Sequence, residues 1–186
     1  MIYLLFVAIY GLMPATNINT DDAVAHNYIQ TYKEIAIIEM HRTGIPASIT
    51  LAQALHESNK GTSTLAVNAN NHFGIKCKKY WKGETYYHKD DDKNQQGELI
   101  ESCFRAYHNV LDSYVDHSTF LKNSENYVNL FALARTDYVG WAYGLKRSGY
   151  ATDKEYAFKL IRNIEKYGLS QYDKAPNPLK KLKRIN

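Results

Sequence analysis

Only one stretch of this 186-residue chain is patterned for β structure, and it is short. Between Phe73 and about Arg105, runs of β-forming residues (Tyr86-Tyr87, Leu99 to Phe104) alternate with glycine and charge-rich turns. On either side the apolar residues recur at helical spacing. The pattern therefore predicts an α+β chain, mainly helical, with one small antiparallel β-lobe inserted after the second helix.

The first helix is expected over 21–43. Thr20 can cap it, and Asp21 and Asp22 stand in the first turn, where the helix dipole favours acids. Gly44 ends it, and Pro46 opens the second helix. In that second helix Ile45, Ile49, Ala52 and His56 form one stripe, with Leu51 and Leu55 beside it. Glu57 follows Gln53 by four residues and Thr50 by seven, which predicts a polar flank ending in a carboxylate near the turn at Gly61. An Asn-rich stretch then leads to Phe73-Gly74-Ile75. After the β segment, helices are expected over 111–123, 138–149 and 152–168. The last begins with a Thr152-x-x-Glu155 capping box and stops at Gly168. No internal repeat is present.

Charge narrows the classes of partner. The net charge of +4 comes from the C-terminal end, where Lys174, Lys180, Lys181, Lys183 and Arg184 stand without an acid. The remaining 18 basic side chains face 19 acidic ones, so the body lacks the basic stripe that a nucleic-acid groove needs. Residues 171–186, with Pro176 and Pro178 and no periodicity, are expected to form a loose basic tail. Residues 1–15 contain an uncharged run too short to span a bilayer. They fit the apolar core of an export signal, although no Lys or Arg precedes it. Export to the periplasm, envelope or medium is the expectation, with no stable membrane span. Cys77 and Cys103 match no zinc spacing. In an exported protein they can pair across strands, and otherwise they are two buried thiols. Sixteen tyrosines, each with an apolar face and a polar tip, suit a surface that meets sugars.

Four pieces in order resemble one family: "PASITLAQALHES" at 46–58, "NNHFGIK" at 70–76, "CFRAYHNVLDSYVDHSTFL" at 103–121 and "GYATDKEYAFKLIRNIEKYGL" at 149–169. Together they resemble the bacterial endo-β-N-acetylglucosaminidases of glycoside hydrolase family seventy-three. The resemblance implies a lysozyme-like fold over residues 20–170. It also implies peptidoglycan glycan strands as substrate, cleavage of the β-1,4 bond after N-acetylglucosamine, and no metal or organic cofactor; a monomer is expected.

Carried over residue by residue, the resemblance makes Glu57 the general acid. That role needs a carboxyl kept protonated near neutral pH by partial burial, here against Phe73 and the β-lobe. The second carboxylate, usually Glu in the family, falls in "HKDDDKNQQGE". Asp91 or Asp92 is favoured over Asp90, with Glu98 an outside candidate. Without such a group the substrate's own acetamido could act in its place. Tyr150 matches a family tyrosine near the reacting sugar. Asn71, Phe73, Trp81 and Tyr107 are expected to line the cleft. Trp141, His56 and His117 are expected in the core. Two rival readings remain: a lytic transglycosylase, which needs one acid only, and a non-catalytic module that binds wall glycan.

Overall fold

The computed structural model describes residues 20–182. The apolar segment 1–15, and with it the expectation of an export signal, lies outside the described residues, as do residues 183–186.

Helix α1 (Thr20–Thr43) carries Asp21 and Asp22 in its first turn and ends at Gly44, whose φ of 96° is left-handed. Helix α2 (Ala47–Glu57) departs from the expected amphipathic pattern, because every residue from 47 to 55 is buried. Helix α1 packs on it, as do α5 (Tyr138–Arg147), α6 (Tyr156–Lys166) and a 3-10 helix over Leu169–Lys174. The expected polar flank, Thr50 and Gln53, is inside at 0% exposure. Thr50 donates to the Pro46 carbonyl and Gln53 to the Tyr156 hydroxyl, which offsets part of the cost of burying them.

The 3-10 helix corrects the expected start of the loose tail. Asp173 is only 2% exposed. Its carboxylate accepts from the Ser48 backbone N–H at 2.8 Å and from Ser48 Oγ at 2.7 Å. Pro46, the residue flanking the start of α2, gives no side-chain cap. Asp173 therefore supplies from far along the chain the acceptor that a helix N-terminus lacks. Asp173→Ala is expected to cost about 2 kcal/mol, because it strands a buried N–H and a hydroxyl. Urea denaturation at neutral pH reads this directly.

The β-lobe is a two-stranded antiparallel hairpin of β1 (Thr85–Lys93) and β2 (Leu99–Arg105), with Tyr86 opposite Phe104 and Tyr87 opposite Cys103. The register is irregular between Lys89 and Lys93. On the other side of β2 the chain makes a single bridge, Lys76 to Phe104, and Cys77 N–H donates to the Cys103 carbonyl at 2.8 Å. A disulfide joins Cys77 to Cys103. Of the two alternatives left open by the sequence, the paired one is present, although Cys77 lies beside the hairpin and not in one of its strands. The short helix α3 (Thr64–Ala69) occupies part of what the sequence suggested was loop.

Helix α4 (Val110–Asn123) and a 3-10 turn over Glu125–Ala132 close the molecule with α5 and α6, followed by a last short helix, α7 (Leu179–Leu182). The capping box at Thr152 does not form. Helix α6 begins at Tyr156, and Asp153 instead accepts from the Glu155 N–H and pairs with Lys159 at 2.6 Å. Trp141 is in the core, as expected. His117 is also fully buried, but neither ring nitrogen has a partner. It stacks on Phe73 with ring centres 3.9 Å apart, acting as an aromatic ring, and burial pushes its pKa down to about 3.

Candidate active site

The last residue of α2 is Glu57, and the chain leaves the helix there by an unusual route. Asn59, Lys60 and Gly61 all have positive φ (47°, 57° and 82°). Two of these are not glycine, a conformation that costs energy and persists only where surroundings enforce it. Ser58 does the enforcing: its hydroxyl donates to the Ala54 carbonyl and accepts from the Gly61 N–H. Gly61 lies so close to the Tyr28 ring that an added Cβ would sit 2.9 Å from it. The turn peels the backbone away immediately after Glu57 and leaves its side chain facing a cleft.

That cleft has a volume of ≈ 640 Å³, and Glu57, Phe73, Lys76, Asp90, Tyr150 and Tyr156 are among the residues that line it. Tyr156 donates a 2.8 Å hydrogen bond to Glu57 Oε1. Tyr150 stacks on Tyr156 with centres 5.5 Å apart, and His56 meets Tyr156 edge-on. Burial is the main force on the Glu57 carboxyl and lifts its pKa from 4.5 to about 7. The Tyr156 hydrogen bond opposes the rise and the charge of Asp90 adds to it. A carboxylic acid that is about half protonated near pH 7, at the wall of an open cleft, can hand a proton to a bound ligand.

From the β-lobe, Asp90 and Asp92 reach the cleft. Lys76 pairs with both, at 3.1 Å and 2.6 Å. Asp92 also accepts from Ser102, and its carboxyl is held below the usual range by Lys76 and Ser102. Of the two acids favoured from sequence, Asp92 is thus in the cleft but committed to structural partners. The side chain of Asp91 lies outside the described part of the molecule. Glu98 is in the hairpin turn, accepting from Asn94, and is not among the cleft-lining residues. Asp90, the acid whose charge Glu57 feels, is less encumbered.

The expected sugar-contacting residues divide. Phe73 and Tyr150 line the cleft. Asn71 does not: it is 1% exposed, and its amide donates to the carbonyls of Ile75 and Arg105 while its oxygen accepts from the N–H groups of Phe73 and Ile75. It is a brace between the loop and β2. Tyr107 is buried and donates to Asp116. Trp81 packs over Arg105 and against Tyr107, and is not among the lining residues. His56, expected in the core, is half-buried on the cleft wall. The sequence does not single out Gln53, Tyr156 and Lys76 as site residues, and it ranks Asp90 below its neighbours Asp91 and Asp92.

Among the described residues no helix is long and apolar enough to cross a membrane, and no cluster of side chains is suited to a metal.

A helical body, a β-hairpin roof and a buried acid at a helix end define a lysozyme-like glycoside hydrolase fold. The catalytic domain of the autolysin Auto from Listeria monocytogenes superimposes with a TM-score of 0.72 at 27% identity, covering 83% of this chain and 95% of that one. The glycoside hydrolase domain of Salmonella typhimurium FlgJ gives 0.63 at 25% identity, covering 79% and 90%. The family profile for glucosaminidase, described as mannosyl-glycoprotein endo-beta-N-acetylglucosaminidase, matches residues 33–169, and the chain belongs to that family. The exo-glucosaminidase LytG of Bacillus subtilis is 38% identical over 140 residues, which is 72% of this chain and 48% of LytG. The chain spans about half the length of the curated relatives it matches.

Proposed function

We propose that the chain is a peptidoglycan hydrolase that cleaves the β-1,4 bond after N-acetylglucosamine in wall glycan strands, acting outside the cytoplasm, with Glu57 as general acid. The observation that carries this reading is the Glu57 carboxyl at the wall of a cleft large enough for sugars, where burial lifts its pKa to about 7 and so keeps a protonated fraction near neutral pH. Glu57 protonates the leaving oxygen as the glycosidic bond breaks. Asp90, which lines the same cleft, takes a proton from the attacking water, whose oxygen bonds to the sugar's anomeric carbon. Tyr150 lines the cleft, and its phenol, neutral at this pH, is the O–H assigned to the sugar. Membership of the glucosaminidase family supports the substrate class.

One observation favours a second reading. Lys76 ties up Asp90 as well as Asp92, which would leave Glu57 as sole acid, as a lytic transglycosylase requires. Digestion of purified peptidoglycan with mass spectrometry of the released ends separates the two. The hydrolase reading predicts reducing N-acetylglucosamine ends from wild type. Products ending in 1,6-anhydromuramic acid would establish the transglycosylase, and no release at all would favour a module that only binds glycan.

A further inference from the structure

Gln53 lies one turn before Glu57 on α2, is 0% exposed and is not a wall of the cleft. Its Nε2 donates to the Tyr156 hydroxyl oxygen at 3.1 Å, and that hydroxyl stands 2.8 Å from Glu57 Oε1. A phenol carries a single proton. The amide donates into the phenol oxygen, and of the phenol's neighbours Glu57 Oε1 is the acceptor that stands in hydrogen-bond geometry for its proton. That oxygen is then occupied as an acceptor, so the proton of the neutral carboxyl resides on Oε2. Glu57 Oε2 has no hydrogen-bond partner among the described residues and is not one of the sealed, unpartnered buried atoms.

We propose that Gln53 is a positioning residue for the proposed reaction: by donating to Tyr156 it commits the Tyr156 proton to Glu57 Oε1 and keeps the acid's own proton on Oε2, the oxygen open to the cleft. The inference rests on the reading of Glu57 as the acid. Without the amide donor the hydroxyl can turn and accept from Glu57, and the acid proton then points into the protein. A second observation supports a role beyond packing. Gln53 Oε1 is buried with no partner. A side chain kept only for packing would shed that cost by being apolar.

The test uses Gln53→Met, which keeps an unbranched chain but removes the donor, together with Tyr156→Phe and the double variant. Glu57 is titrated by carbon NMR of its carboxyl, assigned by its absence in Glu57→Gln, and kcat and KM are followed on peptidoglycan. Tyr156→Phe should raise the Glu57 midpoint by about one pH unit, since the carboxylate loses a donated bond. Gln53→Met should move it the same way by less, and should lower kcat about tenfold with KM unchanged, because a mis-aimed proton costs rate and not binding. The double variant should match Tyr156→Phe alone, because Gln53 acts only through that hydroxyl. An unmoved midpoint in Tyr156→Phe overturns the proposal even where Gln53→Met does not fold. So does a folded Gln53→Met with unchanged midpoint and kcat, or a double variant whose shifts add. The titration needs no turnover, so a wild type inert on peptidoglycan would sink the proposed function while the NMR arm still decides the proton's place.

Discussion

Glu57→Gln is expected to lower wall digestion about a thousandfold, the scale of losing a positioned acid, and at the same time to make the fold more stable above neutral pH. The second half follows from the first cause. Burial raises the folded-state pKa from 4.5 to about 7. Between those values the folded chain binds more protons than the unfolded one. Below pH 4.5 both states hold a neutral carboxyl and burial carries no charge penalty. As pH rises through the window the folded state is progressively penalised, and above about 7 the penalty is complete. Glutamine keeps the acceptor for Tyr156 but never ionises. The gain should reach about 3 kcal/mol at pH 8 and vanish near pH 4. Denaturation curves at the two pH values check this. An equal effect at both would mean that the stability change has some other source than ionisation.

The β-lobe acids give the second large effect. Asp90→Asn is expected to cost about a hundredfold in kcat/KM, since it removes the proposed base. It should also move the alkaline limb of the pH profile downward, because the charge of Asp90 helps to hold the Glu57 proton in place. Asp92→Asn should cost much less. Asp92 is bound to Lys76 and Ser102, so its loss loosens the clamp without removing the base. A larger loss from Asp92→Asn than from Asp90→Asn would transfer the role. Near-normal activity in both would leave the substrate's own acetamido as the assisting group.

The outer frame was legible because its signals are local. Gly44 and Gly168 stop helices by adopting left-handed φ, the acids Asp21 and Asp22 start one, and the β-forming runs with a glycine turn make the hairpin. Glu57 was legible through its place at a helix end and through family resemblance. Its partners were not. Gln53 reads as the polar flank of an amphipathic helix, and only the packing of α6 and the 169–174 segment on α2 shows that the flank is interior. Tyr156 looks like one more core aromatic of the closing helix until its hydroxyl is seen on Glu57.

One further signal is local to the chain. Asn71 stands two residues before Phe73, the spacing at which an Asn side chain folds onto its own backbone. It serves the loop and has no amide left for a sugar. Asp173 carried no readable signal, since its partner Ser48 is 125 residues away.

The most direct measurement is the pH dependence of kcat/KM for the wild type on soluble peptidoglycan fragments, from pH 4 to 9. A group that must be protonated to act, with a pKa of about 7, predicts activity that falls tenfold per unit on the alkaline side of neutrality. Activity that stays flat from pH 6 to 9, with Glu57→Gln equally active, would contradict the account.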